Sequence, residues 1–279
     1  MEETQHNKTD QTIKIIRISI HTLLKHFEYF TTIPVLLLLP FSASLLLSET
    51  IHGFHRIIKP QTDFPFVFTL FLSLSSFLAS KASIIKALNP QKPCFQAPIS
   101  GFISVYKPLL LTHISSLAMD SLILLFISMA SLQPYLNLLI LSVFGAFNSV
   151  MVNNLALVMA VMGTCKGPLA IYKACSLLKN GGNLSTFFLF LPTNLCLSAI
   201  KELFRFRVMR IYRLLGKMNA SLALEGLLIA YLYSLIIVLE TIICFMFYKS
   251  LESVPMATGD DRIHGSCCCD LESADSQQR

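Results

Sequence analysis

Asp120 and Glu240 stand deep inside long apolar runs. An acid in that setting either carries a proton or an ion or is held by hydrogen bonds between helices. His113 lies seven residues before Asp120, two helical turns away on the same face,. Asn148, Asn153 and Asn154 occupy the next apolar run, where they can reach across a helical hairpin. A carboxylate, an imidazole and several carboxamides offer two chemistries: a path for protons or small ions, and a hydrogen-bonded set that fixes packing. A carboxylate at the centre of a span costs about 2.5–3.5 kcal/mol on insertion scales, so Asp120 needs a partner. With few acids and no lysine or arginine expected at depth, packing is the expectation and conduction the alternative.

A second group of charges is basic and lies between apolar runs. In residues 201–217, Phe204, Val208, Ile211 and Leu215 fall on one helical stripe, while Arg207, Arg210, Arg213 and Lys217 fall on another and Arg205 precedes them. A basic amphipathic helix beside a span suits anionic lipid headgroups, at about 1 kcal/mol per basic residue near the surface. The competing reading is a solvated connector that happens to be basic. Cys267, Cys268 and Cys269 are consecutive in the polar tail after the last run, a candidate for reversible palmitoylation if the tail is cytosolic,. Neither they nor the other cysteines have the spacing of a zinc site or a disulfide framework. The chain has no phosphate-cradling loop, no nucleophile elbow, no His-Glu-x-x-His and no dinucleotide fingerprint,. No enzyme, cofactor or metal is therefore expected.

The elements that must position these residues follow from composition. Apolar residues make up 54% of the chain, charged residues only 14%, and the mean hydropathy is +0.63; a soluble domain carries about 25% charged residues. The charges crowd between long apolar runs, as they do when the runs sit in hydrocarbon. The net charge of +6 belongs to those short segments. No free-standing basic domain exists, which argues against nucleic acid as a partner; membrane lipids, and other membrane proteins, are the partners to expect.

Six spans are predicted, at residues 33–51, 64–85, 109–131, 135–163, 184–200 and 222–248,. The fold class is all-α, a polytopic transmembrane bundle occupying residues 12–248 between disordered ends at 1–11 and 249–279. Pro34, Pro40 and Pro192 predict bends in the first and fifth spans, and a tight turn before Pro134 makes spans three and four a hairpin. Residues 12–30 read as an amphipathic helix with Ile13, Ile16, Ile20, Leu23, Phe27 and Phe30 on one stripe, suited either to the membrane interface or to packing on the protein itself,. Residues 99–107 and 168–180 are two further lysine-containing lead-ins, and the shared Val105-Tyr106-Lys107 and Ile171-Tyr172-Lys173 suggest a weak threefold repeat.

The chain resembles a land-plant family of multi-pass membrane proteins of uncharacterised molecular function. The resemblance rests on Ala170-Ile171-Tyr172-Lys173 through Leu177-Leu178-Lys179, on Leu203-Phe204-Arg205-Phe206-Arg207-Val208 and Arg210-Ile211-Tyr212-Arg213, on Leu224-Glu225-Gly226 through Tyr231-Leu232-Tyr233-Ser234, and on Val238-Leu239-Glu240-Thr241 with Phe245-Met246-Phe247-Tyr248-Lys249-Ser250. More remotely, the alternation of amphipathic lead-ins and paired spans is similar to the membrane domain fused to some bacterial glycerophosphodiesterases. That implies a membrane fold and no catalytic residues.

Orientation follows from lysine and arginine. A cytosolic N-terminus places Lys8, Lys14, Arg17, Lys25, Lys81, Lys86, Lys92, Lys107, Lys166, Lys173, Lys179 and the basic residues of the tail on the cytosolic side. Residues 201–217 then fall outside, against the rule. Either the early segments fix the topology, or residues 184–200 are re-entrant and the basic segment is cytosolic. Plasma membrane and endomembrane both remain open.

Overall fold

The structure, a computed structural model, describes residues 2–52, 63–89, 99–130, 136–181, 183–215 and 219–252. It is all-helical, with no strand among the described residues. The helices are α1 (Glu2–Lys25), α2 (Phe27–His52), α3 (Asp63–Leu88), α4 (Ile99–Ala130), α5 (Leu136–Met162), α6 (Pro168–Gly181), α7 (Asn183–Phe204), α8 (Arg210–Leu215) and α9 (Ala220–Glu252). Among the described residues four stretches are long and apolar enough to cross a membrane: Phe27–Ser48, Phe71–Leu88, Thr186–Tyr212 and Ala220–Glu252. α4 and α5 are 32 and 27 residues long.

α9 is the axis of the molecule. Its sequence is apolar all round, the pattern of a helix that neighbours cover on several sides, and 33 residues give it about 50 Å at 1.5 Å per residue,. One core joins α2, α3 and the first part of α9 through Leu38, Leu78, Ile229 and Val238; another joins α5, α6, α7 and the end of α9 through Met159, Ala174, Phe190 and Phe245.

The helix directions follow from which residues meet. Along α2 and α3 the partners run oppositely: the Tyr29 and Ser83 hydroxyls are 3.0 Å apart, Ser80 donates to the Pro34 carbonyl at 2.9 Å, Phe41 stacks on Phe77, and Ser44 bonds Ser73 at 3.0 Å. The pair is antiparallel. α3 and α5 are parallel, because Lys81 meets Asn154 and, eight residues on in both helices, Asn89 meets Met162. Asn154 also meets Glu240, and Thr164, just past α5, shares a hydrogen bond with Tyr248. So α3, α5 and α9 all run one way. α7 runs against α9: Phe190 packs on Phe247 at one end, while Phe204 and Val208 lie beside Gly226 at the other.

Several boundaries differ from the sequence reading. α1 begins at Glu2, well before residue 12, and passes into α2 through His26 with its hydrogen-bond ladder unbroken. The buried positions on α1 are Thr12 and Ser19, with Ile15, Ile16 and Leu23 half-buried; Ile13, Ile20 and Phe27 of the expected stripe stay exposed. Small polar side chains let α1 lie close against α7 and α9, which rotates the packed face away from the largest residues. Residues 99–107 are not a separate lead-in. They are the first turns of α4, which continues through Pro108, so the repeat is not threefold in helix organisation. α9 continues through Lys249 to Glu252, into the expected tail.

The basic segment continues the helix before it. α7 runs through a π-helical turn, Arg205–Met209, directly into α8, giving one rod from Asn183 to Leu215. The wider turn, closed by the Arg210 N–H on the Arg205 carbonyl, shifts the helical phase so that Phe204, Val208 and Met209 all stay buried along the rod,.

Candidate functional site

Polar side chains from three parallel helices meet at the centre of the bundle. Lys81 of α3 donates from Nζ to Oδ1 of Asn154 on α5, and Nδ2 of Asn154 donates to Oε1 of Glu240 on α9 at 2.9 Å. Lys81 is 3% exposed, Glu240 5% and Asn154 8%. Only one orientation of the Asn154 amide serves here, since the reverse would set its oxygen against the carboxylate and its NH2 against the ammonium. The amide thus links a cation to an anion. Lys81 Nζ also sits 4.7 Å from the ring centre of Phe77, one turn earlier on α3, a cation–π contact in a place water does not reach,. Cys244, one turn after Glu240, is fully buried beside it.

Lys81 corrects the sequence reading. The sequence puts it at the cytosolic flank and leads one to expect no basic residue at depth. α3 instead continues to Leu88, two turns beyond it, and residues 77–85 are enclosed almost all round by α2, α4, α5 and α9. A lone buried ammonium would be costly, but one paired with Glu240 through Asn154 leaves no net charge.

The expected polar cluster does not gather at one point. Asn154 and Glu240 belong to the central triad. Asp120 lies elsewhere, half-buried in the seam between α4 and α5, where it accepts a hydrogen bond from the Ser149 hydroxyl of α5 rather than from an asparagine. No cation pairs with it among the described residues. His113 is buried with its ring 5.8 Å from Phe77, and its Nδ1 has no hydrogen-bond partner among the described residues; the same holds for Oδ1 of Asn153. α4 and α5 are antiparallel, with Asp120 level with Ser149, so Asn153 falls one turn and His113 two turns along the same seam,. The side chain of Asn148 lies outside the described residues.

The expected headgroup residues divide. Arg205 and Arg210 line a groove of about 590 Å³ with Glu202, Phe206, Met209 and Leu214. Arg205 is 2.9 Å from the Glu202 carboxylate, and the Arg210 guanidinium lies over Phe206 at 5.3 Å. Arg207 points elsewhere, to Glu225 of α9 at 3.5 Å. The side chain of Arg213, and Lys217 altogether, lie outside the described residues, as do Cys267, Cys268 and Cys269. No group of three or more His, Cys, Asp or Glu among the described residues could hold a metal ion. Compared with family models, curated proteins and solved structures, the chain has no match.

Proposed function

We propose that the chain is a six-crossing membrane protein without a reaction of its own, and that the α7–α8 end of its bundle grips phospholipid headgroups. Six crossings are supported by the alternation of direction: α3, α5 and α9 run one way, which fits α4 and the α7–α8 rod each carrying the chain back. The lipid reading rests on one observation, the groove that pairs Arg205 and Arg210 with exposed Phe206 and Leu214. Guanidinium forks suit phosphate oxygens, and the apolar residues beside them suit the first carbons of an acyl chain. A solvated connector has no use for that combination. With a cytosolic N-terminus the groove opens to the non-cytosolic leaflet.

The test is stability in defined lipid. The full chain in neutral phosphatidylcholine nanodiscs should unfold at a higher temperature when anionic phosphatidylglycerol is added. The R205Q/R210Q double variant should lose most of that increment. An increment equal in variant and native chain would remove the groove as the lipid site. Conduction of protons or small ions is a second reading, favoured by the unpartnered buried atoms of His113 and Asn153 beside the Lys81–Asn154–Glu240 chain. It requires that vesicles containing the chain collapse a pH gradient, reported by a trapped dye, faster than vesicles of the E240Q variant.

A further inference from the structure

We propose that the outward face of α6 lies against anionic phospholipid headgroups, in the leaflet opposite the α7–α8 groove. The proposal rests on the α7–α8 rod crossing the membrane, and not on the groove binding lipid. Gly163 and Gly167, at φ +80° and +61°, turn the chain out of α5,. The Gly167 N–H donates to Oγ1 of Thr112 on α4 at 3.0 Å, and a Cβ at Gly167 would meet Leu111 at 3.2 Å, so the start of α6 is held close against α4. Ala170, Ile171, Ala174 and Leu178 then recur on one face of α6 and are buried in the core shared with α5, α7 and α9,. α6 ends at Gly181, and the rod begins at Asn183 and runs to Leu215, about 50 Å by the helical rise,. Arg205, Arg210 and Leu214 lie toward the far end of that rod, so α6 and the groove occupy opposite ends of it.

Leu169, Tyr172, Ser176 and Lys179 recur at three- and four-residue steps on the side of α6 opposite its buried face, and all four are exposed,. Tyr172 is 74% exposed and Leu169 46%. Lys166 is exposed just before the helix, and Lys173 is half-buried at the edge of the outward face. Leucine and tyrosine gain nothing by facing water, and lysine is costly in hydrocarbon. The headgroup region suits all of them, since tyrosine prefers that depth and lysine stems reach outward from it. Charge selects the lipid. Residues 163–182 hold Lys166, Lys173 and Lys179 and no acid, and no Asp or Glu occurs between Asp120 and Glu202. None of the three lysines forms an ion pair among the described residues. Lys86 and Lys249, in the last turns of α3 and α9, add positive charge to the same end of the bundle. A second copy would meet the face with like charge, whereas an anionic leaflet brings the opposite sign.

The sequence has no tryptophan, so Y172W places a single indole on this face. The full chain carrying Y172W, in phosphatidylcholine nanodiscs, is titrated with phosphatidylcholine or phosphatidylglycerol brominated near the start of the acyl chains, where bromine quenches an indole it touches. The brominated phosphatidylglycerol should reach half-quenching at a mole fraction at least about fivefold lower, fivefold being the enrichment that one lysine gives near an anionic surface. Adding K166Q/K173Q/K179Q should bring the two lipids level while both still quench. K166R/K173R/K179R should keep the preference and serves as the check that substitution at these positions leaves the fold intact. R205Q/R210Q should not alter it, so failure of the lipid groove and failure of this proposal read differently. Equal quenching of the Y172W chain by the two lipids would overturn the proposal. So would an indole that neither lipid quenches, which puts the face in water or against a second copy.

Discussion

The centre of the bundle and its α4–α5 edge treat an intramembrane acid in opposite ways. At the centre, Glu240 receives Asn154, and through it the charge of Lys81, because three parallel helices converge and each supplies one polar group. At the edge, the partner of Asp120 among the described residues is the hydroxyl of Ser149, across the seam between two helices. Both acids sit within apolar sequence. Depth along a helix is therefore a poor guide to whether a charge is balanced. What decides is how many other helices the side chain can reach.

The contrast is most sharply tested at Lys81. Replacing it with methionine leaves Glu240 enclosed with a carboxamide alone, and the loss of stability is expected at about 3–5 kcal/mol, the range for breaking a buried ion pair on one side. Glu240→Leu should cost a similar amount. The double variant should recover most of it, since apolar residues of like volume replace a buried pair at little or no loss. Unfolding in mixed micelles measures all three. Single-variant losses that simply add in the double variant would mean that the two charges do not act on one another.

Asn154→Leu comes next. It removes the bridge but keeps both charges, so a donor and an acceptor lose their partner together, and about 1–3 kcal/mol is expected. Asn154→Gln, one methylene longer, keeps the amide and tests whether its position matters: unfolding at the native midpoint would show that the bridge is not geometrically specific.

These effects were only partly legible in the sequence. Span length and apolar content located the four helices that, among the described residues, are long and apolar enough to cross a membrane, since hydrocarbon thickness imposes a length that any apolar run must meet,. Glu240 and Asn154 stood out as polar residues within such runs. Lys81 did not, because a lysine a few residues from a proline-rich loop looks like a flank residue drawn to the headgroups. The signal against that was Lys86, five residues later, which already served as the exit charge. The π-turn had no sequence signal that could be read without structure, yet it explains why Met209, off the stripe of Phe204, Val208 and Ile211, is buried while Ile211 is only half-buried. The α1 stripe left two faces open, interface or protein: its periodicity does not say which side packs, and Thr12 and Ser19 allow close packing while Ile13, Ile20 and Phe27 face outward,.

Between the two extremes lie the hydroxyl contacts that fasten α2 to its neighbours. Ser42 Oγ reaches the Ala230 carbonyl at 3.1 Å and Ser234 Oγ at 2.8 Å, all buried. Ser42→Ala should cost about 0.6 kcal/mol, the mean for such bonds between membrane helices, because the Ser234 hydroxyl keeps its bond to its own helix at Ala230. A loss several times larger in the same micelle titration would mean that this crossing, rather than the triad, carries the central packing.

The smallest effect is expected at Asp120, and it is the one that separates the two regions most cleanly. Asparagine is nearly the same size as aspartate and its carboxamide oxygen can still accept from Ser149. What the substitution removes is a charge that no described cation balances. In the isolated chain Asp120→Asn should therefore change stability by less than about 0.5 kcal/mol, the scale of a surface substitution, or raise it. The same acid-to-amide change at Glu240 removes the counter-charge of a buried lysine and should destabilise by several times that amount. Paired unfolding curves of D120N and E240Q decide the matter. Equal losses would mean that Asp120 is already balanced within its own chain, and the edge would then be as complete as the centre.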